Sequence, residues 1–363
     1  MPRKVIQQHG DERLNRIYAK SPLDLLASRT AFQNRLESGD LVAMSFGVDA
    51  IDHIVRTVWP GTLTTIVARP SNFKTSLMVH LARVEAARLV AAGKDRALNA
   101  ADRRYVLFAT LEEDEVVVSQ SITRGPTVTA MLDGVYDPAK LRANNESVLN
   151  VPVWTVGYER RELADDIDDM PALTAEQIYR EVVQIERDGH GRPSLILVDY
   201  LQILEVEGRG SGQRNEQVSQ VLGTLKKMAR FFGCPIVLAV QAKESVDKNS
   251  PPIPQVSDSY YSSEVAHASD VMLSLYYPFR YGDEVHGGYI NWRGVNYPVD
   301  PTKIYLQLLK QRKGHGRELW LLDIDPSGQE VLGVTGSLRS KSASLISSIP
   351  HHYSDGPADE WEA

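Results

Sequence analysis

Lys74 and Thr75 open a long helical pattern, directly behind the apolar run "LTTIVA" (63–68) and the short loop "RPSNF". Strand, small loop and helix N-terminus, in that order, make the layout in which backbone N–H groups surround phosphates. In such a site Lys74 would neutralise the β- and γ-phosphates of a nucleoside triphosphate and Thr75 would hold Mg2+. Ala68, Arg69, Pro70, Ser71, Asn72, Phe73 and Ser76 complete the cradle. Both glycines of the usual pattern are missing, and Phe73 stands where the second is expected. An ordinary strand-to-helix turn carrying a lysine fits the loop equally well.

Three further polar residues sit at the ends of apolar runs. "SLILVDYLQIL" delivers Asp199 to a strand end, where the ligands of parallel sheets bind and where a carboxylate can orient the water shell of a magnesium ion. The alternative is an aspartate capping a turn. "YVLFATLEEDE" places Glu112 similarly, as a general base for water or as one of the acids favoured in any first helical turn. Gln241 follows "CPIVLAV" and suits the sensing of a phosphate or of the attacking water. Four such groups in this order are hard to attribute to accident.

These residues need a scaffold of strands and helices. "LTTIVA", "YVLFAT", "VPVWTV", "SLILVDY", "CPIVLAV", "VMLSLYY" and "KIYLQLL" are strand-length, near-continuous apolar runs, as expected of a mostly parallel sheet covered on both faces. Helical patterns alternate with them. "TAEQIYREVVQIERDGHG" starts on a Thr174–Gln177 capping box and stops at Gly189 and Gly191. In "EQVSQVLGTLKKMARFFG", Val218, Val221, Leu222, Leu225, Met228, Ala229 and Phe232 keep the spacing of a buried helix face. The alternation predicts an α/β fold, and "IYLQLLKQRKGHGRELWLLDI" predicts a C-terminal β-hairpin around a basic turn.

At the ends the patterning fades. Residues 1–45 are polar and charged, apart from an amphipathic helical segment at 21–38 that opens on Ser21 and Pro22. Residues 46–335 form the predicted domain, and 336–363, rich in serine and acid, read as a disordered tail. With 363 residues, 42% of them hydrophobic, the chain can bury a large core. A net charge of −7 excludes a surface coated in positive charge, so any nucleic acid must meet a local basic channel or loops. The single cysteine, Cys234, excludes a disulfide framework and fits a reducing cytoplasm. No apolar stretch approaches the roughly 20 residues needed to cross a bilayer, so no membrane association is expected. His315, His351 and His352 show no metal-ligand spacing.

In order, "FGVDAIDHIVRTVWPGTLTTIVARPSNFKTS", "FATLEED", "LILVDYLQIL", "IVLAVQAKES", "SDSYYSSEVAHASDVMLSLYY" and "LLKQRKGHG" resemble the C-terminal motor domain of DnaB-type replicative DNA helicases. Those are RecA-like P-loop ATPases that form hexameric rings, hydrolyse ATP between subunits and move along single-stranded DNA. The resemblance spans about residues 44–333, and "ARPSxxKTS", "DYLQ" and "KQRxG" are its most specific parts. It implies a RecA-like core and roles for the residues above: Lys74 and Thr75 on phosphate and magnesium, Glu112 as catalytic glutamate, and Asp199 as second magnesium-associated carboxylate. Gln241 becomes the link from γ-phosphate to the DNA loops, and Lys310 and Arg312 the basic pair that a neighbouring subunit inserts toward the γ-phosphate. Read without the resemblance, that pair is a solvated basic hairpin.

Two departures qualify the match. A side chain at position 73 costs on the order of 1–2 kcal/mol if the backbone there is left-handed. The family also carries an N-terminal helical collar that recruits primase, for which this chain has only about 45 residues, so a protein partner in its place is expected. Segment 21–38 matches either a linker helix docking on the next subunit or a helix packed on its own domain. Loops 205–217, with Arg209 and Arg214, and 243–264, with Lys243 and Lys248, are the expected contacts to single-stranded DNA. Gly208, Gly210 and Gly212 offer close backbone approach to phosphate, and Tyr260 and Tyr261 stack on bases or on one another. The expectation is a DnaB-like ring ATPase acting on single-stranded DNA. Its alternatives are a regulatory or assembly ATPase of a mobile element that switches partners without unwinding, and a nucleotide-free scaffold closed by Phe73.

Overall fold

The computed structural model describes residues 21–37, 44–55, 58–110, 112–157, 173–206, 214–249, 251–281, 288–292, 295–312, 314, 318–325 and 330–337. The chain divides into two units, Met1–Val42 and Ala43–Ala363. The first contributes helix α1 (Pro22–Glu37). At its start Ser21 N–H donates to Asp24 Oδ2 and Asp24 N–H to Ser21 Oγ, satisfying two N–H groups reciprocally. Its Leu23, Leu25, Leu26 and Phe32 side chains are exposed.

In the second unit all seven apolar runs form strands. They are β1 (Leu63–Ala68), β2 (Arg104–Thr110), β3 (Val153–Val156), β4 (Arg192–Asp199), β5 (Ile236–Gln241), β6 (Val271–Tyr276) and, after a separate hairpin of β7 (Tyr289–Trp292) and β8 (Val295–Pro298), β9 (Lys303–Gln311). Then come β10 (Leu319–Asp325) and β11 (Glu330–Ser337). Nine strands build one sheet in the order β11-β10-β9-β6-β1-β5-β4-β2-β3. From β6 to β3 every pairing is parallel. β9, β10 and β11 extend the sheet antiparallel, and the expected hairpin is β9–β10. Strand β11 runs past the boundary expected at residue 335, so positions 336 and 337 belong to the sheet. The remainder of the proposed tail, 338–363, lies outside the described residues.

Helices α2 (Asp49–Asp52), α3 (Lys74–Ala91), α4 (Glu115–Ile122), α5 (Val128–Leu132), α6 (Pro138–Ser147), α7 (Ala175–Arg187), α8 (Arg214–Phe232) and α9 (Ser262–Ala268) surround the strands. Alternating residues along each central strand point to opposite faces. Ile66, Val106, Phe108, Leu195, Leu197, Val237 and Ala239 pack with Leu77, Met78 and Leu81 of α3. Val67, Leu107, Ile196, Val198, Leu238 and Val240 meet α7 and α8 on the other side. The seven apolar positions read from the sequence of α8 are its buried ones. Leucines buried in this way are worth about 2–5 kcal/mol each on truncation to alanine. At α7 the Thr174–Gln177 capping box is present, and Gly189 and Gly191 have the positive φ of a helix exit. Buried Cys234 has its thiol pKa pushed up by burial, which leaves it an inert core residue.

Candidate nucleotide site

The parallel arrangement brings the carboxyl ends of β1, β2, β4 and β5 to one edge of the sheet. Ala68, Asp199 and Gln241 close their strands there, and Glu112 follows β2. Between β1 and α3 the loop turns through two left-handed residues, Ser71 (φ 54°) and Phe73 (φ 67°). Left-handed residues of this kind belong to the backbone signature of anion-binding nests. Phe73 leads into α3 with no side-chain cap on its first turn. The N–H groups of that turn thus present positive charge to the loop.

Asn72, fully buried between the two left-handed residues, was not singled out by sequence for its own chemistry. Its amide donates to the Pro70 carbonyl (3.0 Å) and to Tyr281 Oη (3.1 Å), and its carbonyl accepts from Tyr277 N–H (2.8 Å). The phosphate loop is therefore pinned to the segment after β6. The Phe73 ring turns to the same place: it lies 5.7 Å from the Tyr277 ring and packs on the core face shared with α3. An aromatic pair adds about 0.5–1.5 kcal/mol beyond area burial, which offsets most of the left-handed cost of about 1–2 kcal/mol. Phe73→Gly is accordingly expected to leave nucleotide affinity within about tenfold of the parent, since the two effects differ by at most about 1.5 kcal/mol. Equilibrium titration with a fluorescent nucleotide checks this, and a gain beyond about 50-fold would show that the ring obstructs the site.

Thr75 Oγ1 donates to Asp199 Oδ2 at 2.5 Å, joining the helix start to the end of β4. Asp199 is 2% exposed, and its other oxygen has no partner among the described residues. Burial pushes its pKa up, against the Thr75 hydrogen bond and the Lys74 charge. Lys74 is also buried, with its ammonium 3.4 Å from the Arg69 carbonyl. Burial pulls its pKa down, Asp199 and Glu112 oppose that, and Arg280 and Arg69 add to it. Glu113 is held above its ordinary value by desolvation first, then by the charges of Asp199 and Glu112. A cation coordinated mainly by phosphate and water fits this acid cluster, because Mg2+ needs only one or two protein oxygens in such sites. The described residues contain no group of three or more His, Cys, Asp or Glu able to hold a metal alone.

Gln241 N–H donates to Gln202 Oε1 (3.2 Å), from the short turn Leu201–Ile203 after β4. Gln202, part of the "DYLQ" run, thereby sets the end of β5 against β4. Arg69 of the phosphate loop reaches the Ala242 carbonyl (3.2 Å) and Asp247 (3.2 Å), tying the loop to the segment beyond Gln241.

The basic residues expected at nucleic acid are placed differently from one another. Arg214 is spent within its own chain, donating to Gln217 Oε1 (3.1 Å) and to the carbonyl of Gln202 (2.6 Å), which makes it a clamp on the turn after β4. Lys243 donates to the Ser257 carbonyl (3.0 Å), and Lys248 is exposed. Tyr260 and Tyr261 lie against each other, ring centroids 6.3 Å apart. Arg209, Gly208, Gly210, Gly212, His315, His351 and His352 lie outside the described residues.

Lys310 and Arg312 are not brought to this edge. Thr64 of β1 pairs with Val271 of β6, and Val271 pairs with Gln311 of β9. Arg312 thus stands beside the beginning of β1, whereas the phosphate loop follows its end. Six strand residues separate the two by about 20 Å, more than an arginine side chain spans. Lys310 donates to the Ala266 and Ser269 carbonyls at the end of α9, and the Arg312 side chain is 52% exposed.

A central parallel sheet with an uncapped helix start, a lysine and a threonine–aspartate pair at its carboxyl edge is the arrangement of a RecA-like P-loop fold. The family model described as DnaB-like helicase C terminal domain matches residues 43–322, and the chain belongs to that family. Replicative DNA helicase DnaB of Mycoplasma genitalium is 22% identical over 72% of this chain and 52% of its own length. Replicative DNA helicase DnaC of Bacillus subtilis is 23% identical over 66% of this chain and 48% of its own. The chain spans about half the length of these relatives. Among solved structures, one described as an ATPase domain superposes with a TM-score of 0.66 at 18% identity, covering 86% of this chain and 99% of that one. A DnaB-like replicative helicase, described with its interactions with primase, gives 0.62 at 17% identity over 87% of this chain and 67% of that one. No helix among the described residues is long and apolar enough to cross a membrane.

Proposed function

We propose that this chain hydrolyses ATP at junctions between its own copies, as a ring-forming DnaB-like motor on single-stranded DNA. The observation that carries this reading is the placement of Arg312 at the far end of the sheet from the phosphate loop, with the rest of the site assembled around Lys74. A site so built is complete only when a second copy supplies the finger. In this reading Lys74 and the first turn of α3 bind the β- and γ-phosphates; Thr75 would hold Mg2+ and Asp199 would orient its water shell, and the ion would neutralise phosphate charge. Glu112 takes a proton from the attacking water, and Gln241, steadied by Gln202, faces the γ-phosphate. Arg312 of the adjacent copy meets the charge that grows on the transferring group. Helix α1, with its exposed Leu23, Leu25, Leu26 and Phe32, serves as the linker that docks on the next subunit.

A second reading is favoured by the intrachain commitment of Arg214 and Lys243: a ring ATPase that switches partners without strand separation. Turnover with and without single-stranded DNA separates the two. The motor is expected to show stimulation by DNA that disappears in Lys74→Ala, Glu112→Gln and Arg312→Ala. Turnover indifferent to DNA in the parent chain supports the switch. No turnover and no nucleotide binding in the parent removes both.

A further inference from the structure

Beneath Arg312 lies a cluster that none of the roles above uses. Asp270, the residue before β6, is 9% exposed. Its Oδ2 accepts from Leu63 N–H at the start of β1 (2.9 Å) and from the Lys226 ammonium of α8. Its Oδ1 faces Arg312 Nε at 3.4 Å, beyond a good hydrogen bond. Arg312 is otherwise fastened by its own backbone, through N–H to the Asp270 carbonyl (2.8 Å), and by one guanidinium bond to the His267 carbonyl (3.0 Å). A buried carboxylate beside an arginine ordinarily holds it by a short bidentate pair. Here Lys226 takes the carboxylate's charge, and the guanidinium stays half exposed.

We propose that Lys226 and Asp270 are positioning residues that form a neutral seat for Arg312, leaving its guanidinium free to reach the adjacent subunit's γ-phosphate. The proposal rests on the trans placement of Arg312 argued above and adds what controls that residue. If Lys226 loses its charge, the whole of Asp270 faces Arg312 and draws the guanidinium back, so the finger is withheld.

The Asp270 carboxylate favours the charged form of Lys226, and the surroundings of the ammonium oppose it. The groups facing it are Asp270, Arg230 on its own helix, and Lys310 and Arg312 at the end of β9. Burial first, then those three cations, pull its pKa down to about 8. A lysine is charged below its pKa, so the seat is neutral at pH 7 and becomes anionic as pH rises through about 8. The arrangement predicts an alkaline fall in turnover that belongs to Lys226.

The test is the pH dependence of kcat of the full chain at saturating ATP, where bound phosphate keeps Lys74 charged, from about pH 6.5 to 9.5. The parent is expected to lose turnover above about pH 8. Lys226→Arg, which does not titrate in this range, keeps the neutral-pH turnover and loses the alkaline fall. Lys226→Met lowers kcat roughly tenfold at pH 7 with KM unchanged, and Lys226→Met combined with Asp270→Asn restores a neutral seat and most of kcat. An alkaline fall that persists unchanged in Lys226→Arg overturns the proposal, and that comparison stands even if the Met variant does not fold. Mixing Lys74→Ala subunits with Arg312→Ala subunits separates this failure from that of the underlying reading. Turnover regained on mixing, with an unchanged Lys226→Arg profile, removes the seat and keeps the trans finger. No regain on mixing removes both.

Discussion

Lys74→Ala is expected to lower ATP turnover by roughly 10²–10³ and to abolish nucleotide-induced stabilisation. The lysine is buried, and its ammonium makes only a long contact to the Arg69 carbonyl among the described hydrogen bonds. Removing it therefore costs the fold little, and the loss falls on phosphate. Burial lowers its pKa and so disfavours the charge that bound phosphate would favour. Nucleotide binding should consequently take up protons at alkaline pH, where part of the unliganded lysine is neutral. Single-turnover hydrolysis and thermal melts with saturating nucleotide measure both effects. A variant that keeps the melting shift and hydrolyses at the parent rate sinks the assignment of this loop.

Arg312→Ala carries the second large effect, a fall of about 10³ in turnover with nucleotide affinity little changed. Because the side chain is half exposed and its ion pair long, its removal costs the subunit at most about 1 kcal/mol. The loss can then be assigned to chemistry rather than folding. Mixing gives the stronger check, since Arg312→Ala subunits keep an intact phosphate loop and Lys74→Ala subunits keep an intact finger. A junction pairing the two healthy halves restores turnover. If each inactive variant stays inactive in every ratio, the finger does not act between copies.

Much of this site was legible in the sequence because strands and phosphate loops have local signatures. Four apolar runs ending in Ala68, Glu112, Asp199 and Gln241 were enough to place their ends together, since parallel strands share one carboxyl edge. The capping box at Thr174 and the buried stripe of α8 are equally local. What stayed hidden depends on long-range geometry. Nothing near Asn72 announces that Tyr277 and Tyr281 will hold it. The left-handed Phe73 has its ring against Tyr277, and the Gln202 carbonyl that engages Arg214 lies twelve residues away in sequence. Lys226 and Asp270 look like a helix surface residue and a strand cap until β1, β6, β9 and α8 converge.

The antiparallel extension of the sheet has an arithmetic consequence. If Arg312 acts between copies as proposed, a subunit carries its receiving half on one rim of the sheet and its donating half on the other, so an open arc of n copies would own only n − 1 working junctions and leave a terminal arginine without a target. On that reading closure is the sole arrangement in which every copy both gives and receives, and a single copy defective in both halves would silence two neighbouring junctions at once.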